Sequence, residues 1–480
     1  MGHDGIHSIF LKNVSDKFLE NFAHFLNACF NHCVIPDQLL MGDLNPTVKD
    51  LKGNVTESIN YRPVMQSSCI LKVLEMHILS ILEEKISFNC RQFGFEKGSS
   101  TADACFLLKE VVYDYTKNKG KVFAAFVDLS KAFDKVNRCL LGQQLIDRNV
   151  PPDIILLLMR YLRNQRARVC WNGSQGQYSY IDKGVCQGGI LSPFLFKLYI
   201  DGIINKISNT NKGCKLGLVR INIIAYADDL VLLCDSKNSL EAIYEILDED
   251  IKNLKLMINK SKSKCMIFDK SRKQDIMIRD LKLGNDTLEV VEDYRYLGHL
   301  VNNQLSDTQD VKQRLNDFNC KFNSVYRNFK NVSLETFLFL FNSYCQPDYG
   351  LNLWNSDVLL NKHIFKCFET TYSKALKRII GIPVYSSSHI AADMCNFLLL
   401  KHHLAYIQVR YLKRVFRSTN VVIKLCNPYL KNGYLNVSLN KLFQDVYGVS
   451  IWENNLDILG ARILWVQRHE ERRICQYFHV

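Results

Sequence analysis

Two short apolar runs, Ile221 to Ala225 and Leu230 to Cys234, flank the tetrapeptide Tyr226-Ala227-Asp228-Asp229. Each run is brief and rich in β-branched or aliphatic residues, so the pattern predicts two strands joined as a hairpin with two acids at its tip. Two carboxylates about 4 Å apart repel by roughly 4 kcal/mol at an effective dielectric near 20, so a fold gains nothing from the pair unless a cation sits between them. Asp is also a favoured turn residue, which leaves a plain turn open for the tip taken alone.

A second acid station lies far upstream. The run Phe123-Ala124-Ala125-Phe126-Val127 has strand character, ends on Asp128, and continues as Leu129-Ser130-Lys131-Ala132-Phe133-Asp134. An acid at the end of a buried strand stands at a sheet edge where backbone amides also point outward, a position that suits a metal and a triphosphate. Two divalent ions about 3.5–4 Å apart, bridged by carboxylates, can activate an attacking hydroxyl and stabilise a departing pyrophosphate. Hard oxygen ligands of this kind select magnesium or manganese over zinc.

Taken in order, these blocks resemble the reverse transcriptase of non-long-terminal-repeat (LINE-type) retrotransposons, over roughly residues 1 to 390. The resemblance implies an α+β right-hand polymerase fold of fingers, palm with an antiparallel sheet, and helical thumb. It implies an RNA-directed DNA polymerase whose partners are an RNA template, a DNA primer, their RNA–DNA hybrid and a dNTP. The implied ligands of two Mg2+ (or Mn2+) ions are Asp128, Leu129, Asp228 and Asp229, and the three acids with Lys262 are the expected catalytic groups. The expected division is fingers with the start of the palm over 1–120, palm with inserted fingers elements over 121–304, thumb over 305–390, and a basic extension over 391–480.

Further blocks carry the same resemblance. Gly2-His3-Asp4-Gly5-Ile6 is similar to the G-P-D-G-I start of the family's fingers, with His3 in place of proline. Lys49 and Tyr61-Arg62-Pro63-Val64 look like the basic fingers motif that grips a triphosphate, and fixed cations there offset phosphate charge. Lys72 and Glu75 follow on an expected helix over 69–84 as a pair on one face. Gln92-Phe93-Gly94-Phe95 and Gly98-Ser99-Ser100-Thr101 match a block that shapes a template groove before a helix over 104–115, although a turn before a helix calls for the same residues. Phe133 resembles the bulky gate that leaves no room for a 2′-hydroxyl, against a core residue at a helix start.

Gly184-Val185-Cys186-Gln187-Gly188-Gly189-Ile190-Leu191-Ser192-Pro193 is similar to the family's G-x-x-Q-G-x-x-L-S-P block. Gln187 and Gly188 are expected beside the nascent base pair, and Tyr226 beside the substrate. Ser192-Pro193 starts a long helix, since proline suits a first helical turn. Asp201 on that helix reads as structural. The run Met257 to Phe268 resembles the motif whose lysine protonates pyrophosphate, and Lys260 and Lys264 compete with Lys262 for that role. Tyr296, Leu297 and Gly298 resemble the primer grip. From Asp307 onward helix-period segments dominate, with Lys374, Lys377 and Arg378 read as contacts to a duplex backbone.

Composition sets the remaining bounds. Lys plus Arg number 61 against 48 Asp plus Glu, and the net charge of +13 favours a polyanionic partner. The 17 cysteines lack paired spacings and look like reduced, buried thiols; Cys29 and Cys33 beside His32 suit core packing better than zinc. No secretion signal or membrane-spanning run is evident, so the expected setting is nuclear or cytoplasmic, with no membrane partner. The endonuclease and zinc knuckle of many LINE proteins find no counterpart here. A nucleic-acid-binding relic or domesticated protein, and a group II intron-type maturase, remain as alternatives.

Overall fold

The computed structural model describes residues 2–50, 53–118, 120–269, 279–355, 363–430 (427–430 by backbone alone), 433–435, 439, 440, 443, 444 and 463. After α1 (Ser8–Lys12) and α2 (Asp16–Asn31) come β1 (Met41–Val48), β2 (Tyr61–Ser67), α3 (Cys69–Lys85) and α4 (Thr101–Lys117). β3 (Val122–Asp128), α5 (Arg138–Asp147) and α6 (Pro152–Asn164) follow, with β4 (Arg166–Trp171), β5 (Ser174–Gln175) and β6 (Ser179–Tyr180). α7 (Ser192–Ser208) begins at the expected serine, with Pro193 in its first turn. A small hairpin, β7 (Cys214–Leu216) with β8 (Val219–Ile221), leads into β9 (Ile223–Tyr226), β10 (Asp229–Cys234), α8 (Lys237–Asn253) and β11 (Lys264–Phe268).

Two sheets organise this part. The first runs β2-β1-β4-β5, with β6 on β4; β1 pairs antiparallel with β2 and parallel with β4. The second runs β11-β3-β10-β9 and is antiparallel throughout. Its strands are nearly continuous apolar runs because both faces are covered. Ala125, Val127, Leu230 and Leu232 bury into a core shared with α3, α5, α6, α7 and α8. Ala124, Phe126, Val231 and Leu233 bury into a second core shared with α4. The expected α+β class with an antiparallel sheet is therefore what the chain forms.

Beyond the sheet lie β12 (Asp280–Leu283), β13 (Asp286–Glu289), β14 (Asp293–Tyr296) and β15 (His299–Asn302), paired as two hairpins. The chain then turns helical: α9 (Thr308–Phe329), α10 (Leu334–Leu340), α11 (Ile364–Ile380), α12 (Ser388–Met394), α13 (Leu400–Phe416) and α14 (Val421–Leu430). A third core, rich in Phe318, Phe341, Phe368, Tyr372 and Trp354, joins α9 to α11. α13 faces two ways, giving Leu400 and Leu404 to this core and Val409, Leu412 and Val415 to the second core. Packing runs without a break across residue 390, where the basic extension was expected to start; the apolar residues of α13 join the second and third cores.

Some sequence readings change in detail. Glu75, read as half of a face pair with Lys72, is buried at 1% exposure. Lys377, read as a contact to a duplex backbone, is buried, and its Nζ donates to the Val384 carbonyl (2.8 Å), which holds the turn after α11. Arg378 lies over the Tyr326 ring at 3.9 Å, and Lys374 is exposed. Asp201 is structural: it accepts from the Asn89 amide (2.9 Å), Arg148 (2.5 Å) and Asn205 (2.7 Å). Cys29 and Cys33 are core residues. No helix among the described residues is long and apolar enough to cross a membrane.

Candidate active site

The acidic hairpin forms with Tyr226 opposite Asp229, so Ala227 and Asp228 make a two-residue turn. Ala227 has φ +55°, a left-handed conformation uncommon for a residue with a Cβ. Outside contacts hold it there. The Gln92 side-chain oxygen accepts from the Ala227 amide (3.1 Å) and the Gly94 amide (3.0 Å). Residues 91–93 run parallel to β9, through Ala225 N–H to the Arg91 carbonyl (2.9 Å) and Phe93 N–H to the Ala225 carbonyl (2.8 Å). A Cβ on Gly94 would collide with the Ala227 nitrogen, which is why the segment needs glycine there. Gln92 thus supports the acid turn, a role its place in a supposed template groove did not suggest.

Asp128 ends β3 directly opposite Asp229 on β10. Opposed residues of an antiparallel pair point to the same side with Cβ atoms about 4.5–5.5 Å apart. The Asp128 amide is held by Ser263 Oγ (3.1 Å), and its carbonyl accepts from the Asn259 amide (2.8 Å). The three carboxyls sense one another. Burial first, then repulsion from Asp228 and Asp128, pushes Asp229 up to about 7. Burial and Asp128 likewise raise Asp228, and Arg62 and Lys262 oppose the rise at both.

Cations gather on the facing side. Lys49 is lowered by burial and by repulsion from Lys131, Lys262 and Arg62, which brings these four into one field. Lys49 Nζ also donates to the Ile59 carbonyl (3.0 Å). A cavity of about 490 Å³ beside them is lined by Lys49, Tyr61, Lys131, Asp134 and Trp171. Of the three competing lysines, Lys260 pairs with Asp286 and Lys264 with Glu289 (2.6 Å). Lys262 is exposed and forms no ion pair among the described residues, yet acts on both tip acids. Lys131, which no spacing singled out, joins this group from the loop after β3.

The remaining expected residues border the same region. Phe133 is half-buried, stacked on Phe196 (4.6 Å between centroids, 19°) and edge-on to Phe95 (6.3 Å). Gln187 Nε2 donates to Asp134 Oδ1 (3.4 Å), and the Gln187 carbonyl accepts from the Met65 amide on β2 (2.7 Å). Gly188 has φ +112°, and a Cβ there would strike the Met65 carbonyl, so glycine is required for this approach. Tyr226 is half-buried against the second core. Tyr296 is buried, and Leu297 (φ +46°) with Gly298 (φ +76°) forms the tight turn of the β14–β15 hairpin. Tyr349 Oη donates to the Leu297 carbonyl (2.5 Å) and Arg314 to the Gly298 carbonyl (2.5 Å). Tyr294 on the same hairpin stacks on Phe126 (4.4 Å) and is raised by burial, then by Asp229 and Asp128.

A larger cavity, about 950 Å³, opens on the other side of that turn. Leu297, Tyr349 and the first residues of α4 form one wall, and Arg410, Lys413, Arg414 and Arg417 of α13 and its end line the other. Arg414 is bound to Asp103 (2.6 Å) and Ser100 (2.8 Å), which ties α13 to α4.

Among the described residues no group of three or more His, Cys, Asp or Glu side chains is gathered as a ready metal site. The fit to a hard divalent ion rests on donor chemistry: clustered carboxylates without a cation paired to them at contact distance, and cations within electrostatic reach. Leu129 is buried, so its backbone carbonyl is all it could offer; the flanking ladder bonds use Asp128 and Ser130 instead.

One family model matches the chain. Residues 51–301, more than half of the chain, match the family "Reverse transcriptase (RNA-dependent DNA polymerase)". The probable RNA-directed DNA polymerase of the Drosophila melanogaster X-element is 25% identical over 399 residues, 79% of this chain and 42% of that one. The RNA-directed DNA polymerase of the D. melanogaster mobile element jockey is 24% identical over 382 residues (75% and 40%). The Pol polyprotein of an R2 element from Nasonia vitripennis is 24% identical over 250 residues (50% and 24%). The chain thus spans less than half the length of these relatives. Among solved structures, telomerase from Candida tropicalis aligns with TM-score 0.41 at 11% identity, covering 86% of this chain and 74% of that one.

Proposed function

The chain belongs to the reverse transcriptase (RNA-dependent DNA polymerase) family, and on that premise we propose that it is an RNA-directed DNA polymerase of the LINE retrotransposon type. It adds dNTPs to the 3′-hydroxyl of a DNA primer paired with an RNA template. The observation that carries this reading is the opposition of Asp128 and Asp229 across one register, with Asp228 beside them and Lys262 and Arg62 acting on the same acids.

Asp128, Asp228, Asp229 and the Leu129 carbonyl would be the oxygen donors for two magnesium or manganese ions. Such ions, when bound, lower the cost of forming the attacking alkoxide and of releasing pyrophosphate. The chain's own groups do the rest. Arg62, Lys49 and Lys131 hold the triphosphate through charge-assisted contacts, and Lys262 delivers a proton to the leaving pyrophosphate. Gln187, Gly188 and Tyr226 border the nascent pair, and Tyr296, Leu297 and Gly298 support the primer end. Phe133 excludes a 2′-hydroxyl; Phe133→Val is expected to raise ribonucleotide incorporation, and unchanged dNTP over rNTP selectivity removes that role. The basic cavity lined by α13 takes part in holding a hybrid, whose A-like geometry is recognised by shape and phosphate position.

Primer extension on poly(rA)/oligo(dT) with magnesium tests the reading. Extension by the wild type, abolished in Asp228→Asn with Asp229→Asn, is the expected result. Wild-type binding without extension would instead support a non-catalytic relic.

A further inference from the structure

α7 is a 17-residue helix whose first turn carries no side-chain cap of its own: its N-cap position is Leu191. The first amides of such a helix carry partial positive charge and need acceptors. A carboxylate from another helix meets the backbone just ahead of that turn. Glu75 of α3 accepts from the Ile190 amide through Oε2 (2.6 Å) and from the Tyr161 hydroxyl of α6 through Oε1 (2.5 Å). Glu75 and Tyr161 are 1% and 2% exposed. The spacing of Glu75, four residues after Leu71 and three before Ile78, sets it on the apolar stripe of α3, where an acid is costly unless it is fully bonded.

The loop on which Glu75 acts carries Gln187 and Gly188. Its opposite side is fixed to β2 by the bond from the Met65 amide to the Gln187 carbonyl and by the close seat of Gly188 on Met65. Its start is tied to Phe133 through the Val185 amide (2.9 Å). Three attachments therefore set the loop: the Phe133 carbonyl at its start, the backbone of β2 on one side and the Glu75 carboxylate on the other.

We propose that Glu75, oriented by Tyr161, is a positioning residue for nucleotide binding: it sets the position of the Gln187-Gly188 loop against the incoming nucleotide. Neither side chain touches the acids. The proposal rests on the polymerase reading for its kinetic part, while the anchor itself is testable without it.

The test compares the wild-type chain with Glu75→Ala, Glu75→Gln and Tyr161→Phe in two measurements. Amide hydrogen exchange over residues 184–193 reads the anchor, and steady-state primer extension reads KM for dNTP apart from kcat and primer–template Kd. Loss of loop protection is expected in Glu75→Ala, with dNTP KM raised about 10-fold, since displacement of about 1 Å can cost up to 10²-fold. Primer–template Kd should stay within about twofold, because the phosphate contacts that dominate such affinity are untouched. Glu75→Gln keeps one acceptor oxygen and should fall between Glu75→Ala and wild type; Tyr161→Phe should give a smaller rise. If Glu75→Ala does not fold, the other two variants decide. Unchanged exchange overturns the anchor. Lost protection with unchanged dNTP KM, or KM, kcat and Kd declining together with melting temperature, overturns nucleotide positioning. Absence of extension by the wild type overturns the polymerase reading and the kinetic role with it, and exchange still decides the anchor.

Discussion

Two carboxylate clusters in this chain carry opposite electrostatics. At the hairpin tip Asp228 and Asp229 are pushed up by burial and by their acidic neighbours, Asp229 to about 7. At the base of α9, Asp307 and Asp310 are buried more deeply, 3% and 2% exposed, yet lie below the usual carboxylate range. Burial by itself would raise them too; their partners reverse the sign. Asp307 takes Lys109 (2.5 Å), the Asn355 amide (2.7 Å) and the Tyr434 hydroxyl (2.8 Å). Asp310 takes Trp354 Nε1 (2.8 Å) and the Leu300 amide (3.1 Å), with His299 (3.3 Å) and Arg314 (3.5 Å) close by. The acids at the base of α9 are surrounded by donors at hydrogen-bond distance, whereas at the tip burial and like charge outweigh the pull of Arg62 and Lys262.

The sharpest test separates activity from stability. Asp228→Asn with Asp229→Asn should lower primer extension by on the order of 10²–10³-fold or more, with a melting temperature no lower than the wild type's because repulsion is relieved. A clear drop in melting temperature would show that the tip acids are struts as well. Asp307→Asn should do the reverse and destabilise the fold by about 3–5 kcal/mol in urea titration, because Lys109 is left buried without its counter-charge. A loss under 1 kcal/mol there would dissolve the contrast.

Proton linkage gives a finer probe. Asp307 and Asp310 have folded values below unfolded ones, so their contribution is complete above about pH 4 and is lost as the pH falls further. Glu110 behaves oppositely. It accepts from the Tyr434 (2.8 Å) and Leu435 (3.1 Å) amides, but full burial pushes it up to about 7. The folded chain binds this proton more tightly, so stability should fall as pH rises from about 4.3 to 7, by at most about 1.4 kcal/mol per unit, and then level off. Glu110→Gln should flatten that slope in urea titrations across the range; an unchanged slope assigns it elsewhere. The smallest effect concerns the basic wall. Arg410→Glu should reduce the slope of log binding constant against log salt for a labelled RNA–DNA hybrid by about one. A parallel line at lower affinity would argue against a phosphate contact.

What the sequence disclosed, and what it hid, follows from range. The acid hairpin, the Pro193 helix start and the Leu297-Gly298 turn rest on signals within a few residues, and each element formed within a few residues of its expected limits. Contacts between distant segments left no such trace. The bond from the Ala227 amide to Gln92 spans 135 positions and that from Ile190 to Glu75 spans 115. Glu75 did leave one signal, an acid on an apolar stripe, which reading it as the helix-face partner of Lys72 passed over. Lys377 misled in the opposite way: a basic side chain on an amphipathic helix suggests a solvated face, but its ammonium turns back to satisfy the Val384 carbonyl. Choosing among Lys260, Lys262 and Lys264 depended on Asp286 and Glu289, which belong to a hairpin formed later in the chain.

The Lys109–Asp307 bond has a mechanical corollary. Asp307 is the residue from which α9 springs, and Lys109 stakes it to α4 beneath the sheet. A 22-residue helix is about 33 Å long, so pivoting by about 5° on that fulcrum swings its far tip by about 3 Å. Because Arg314 of α9 also holds the Gly298 carbonyl and Arg414 of α13 holds Asp103, such a swing would be felt at the β14–β15 hairpin and at α4, so the bundle is braced to the sheet it adjoins.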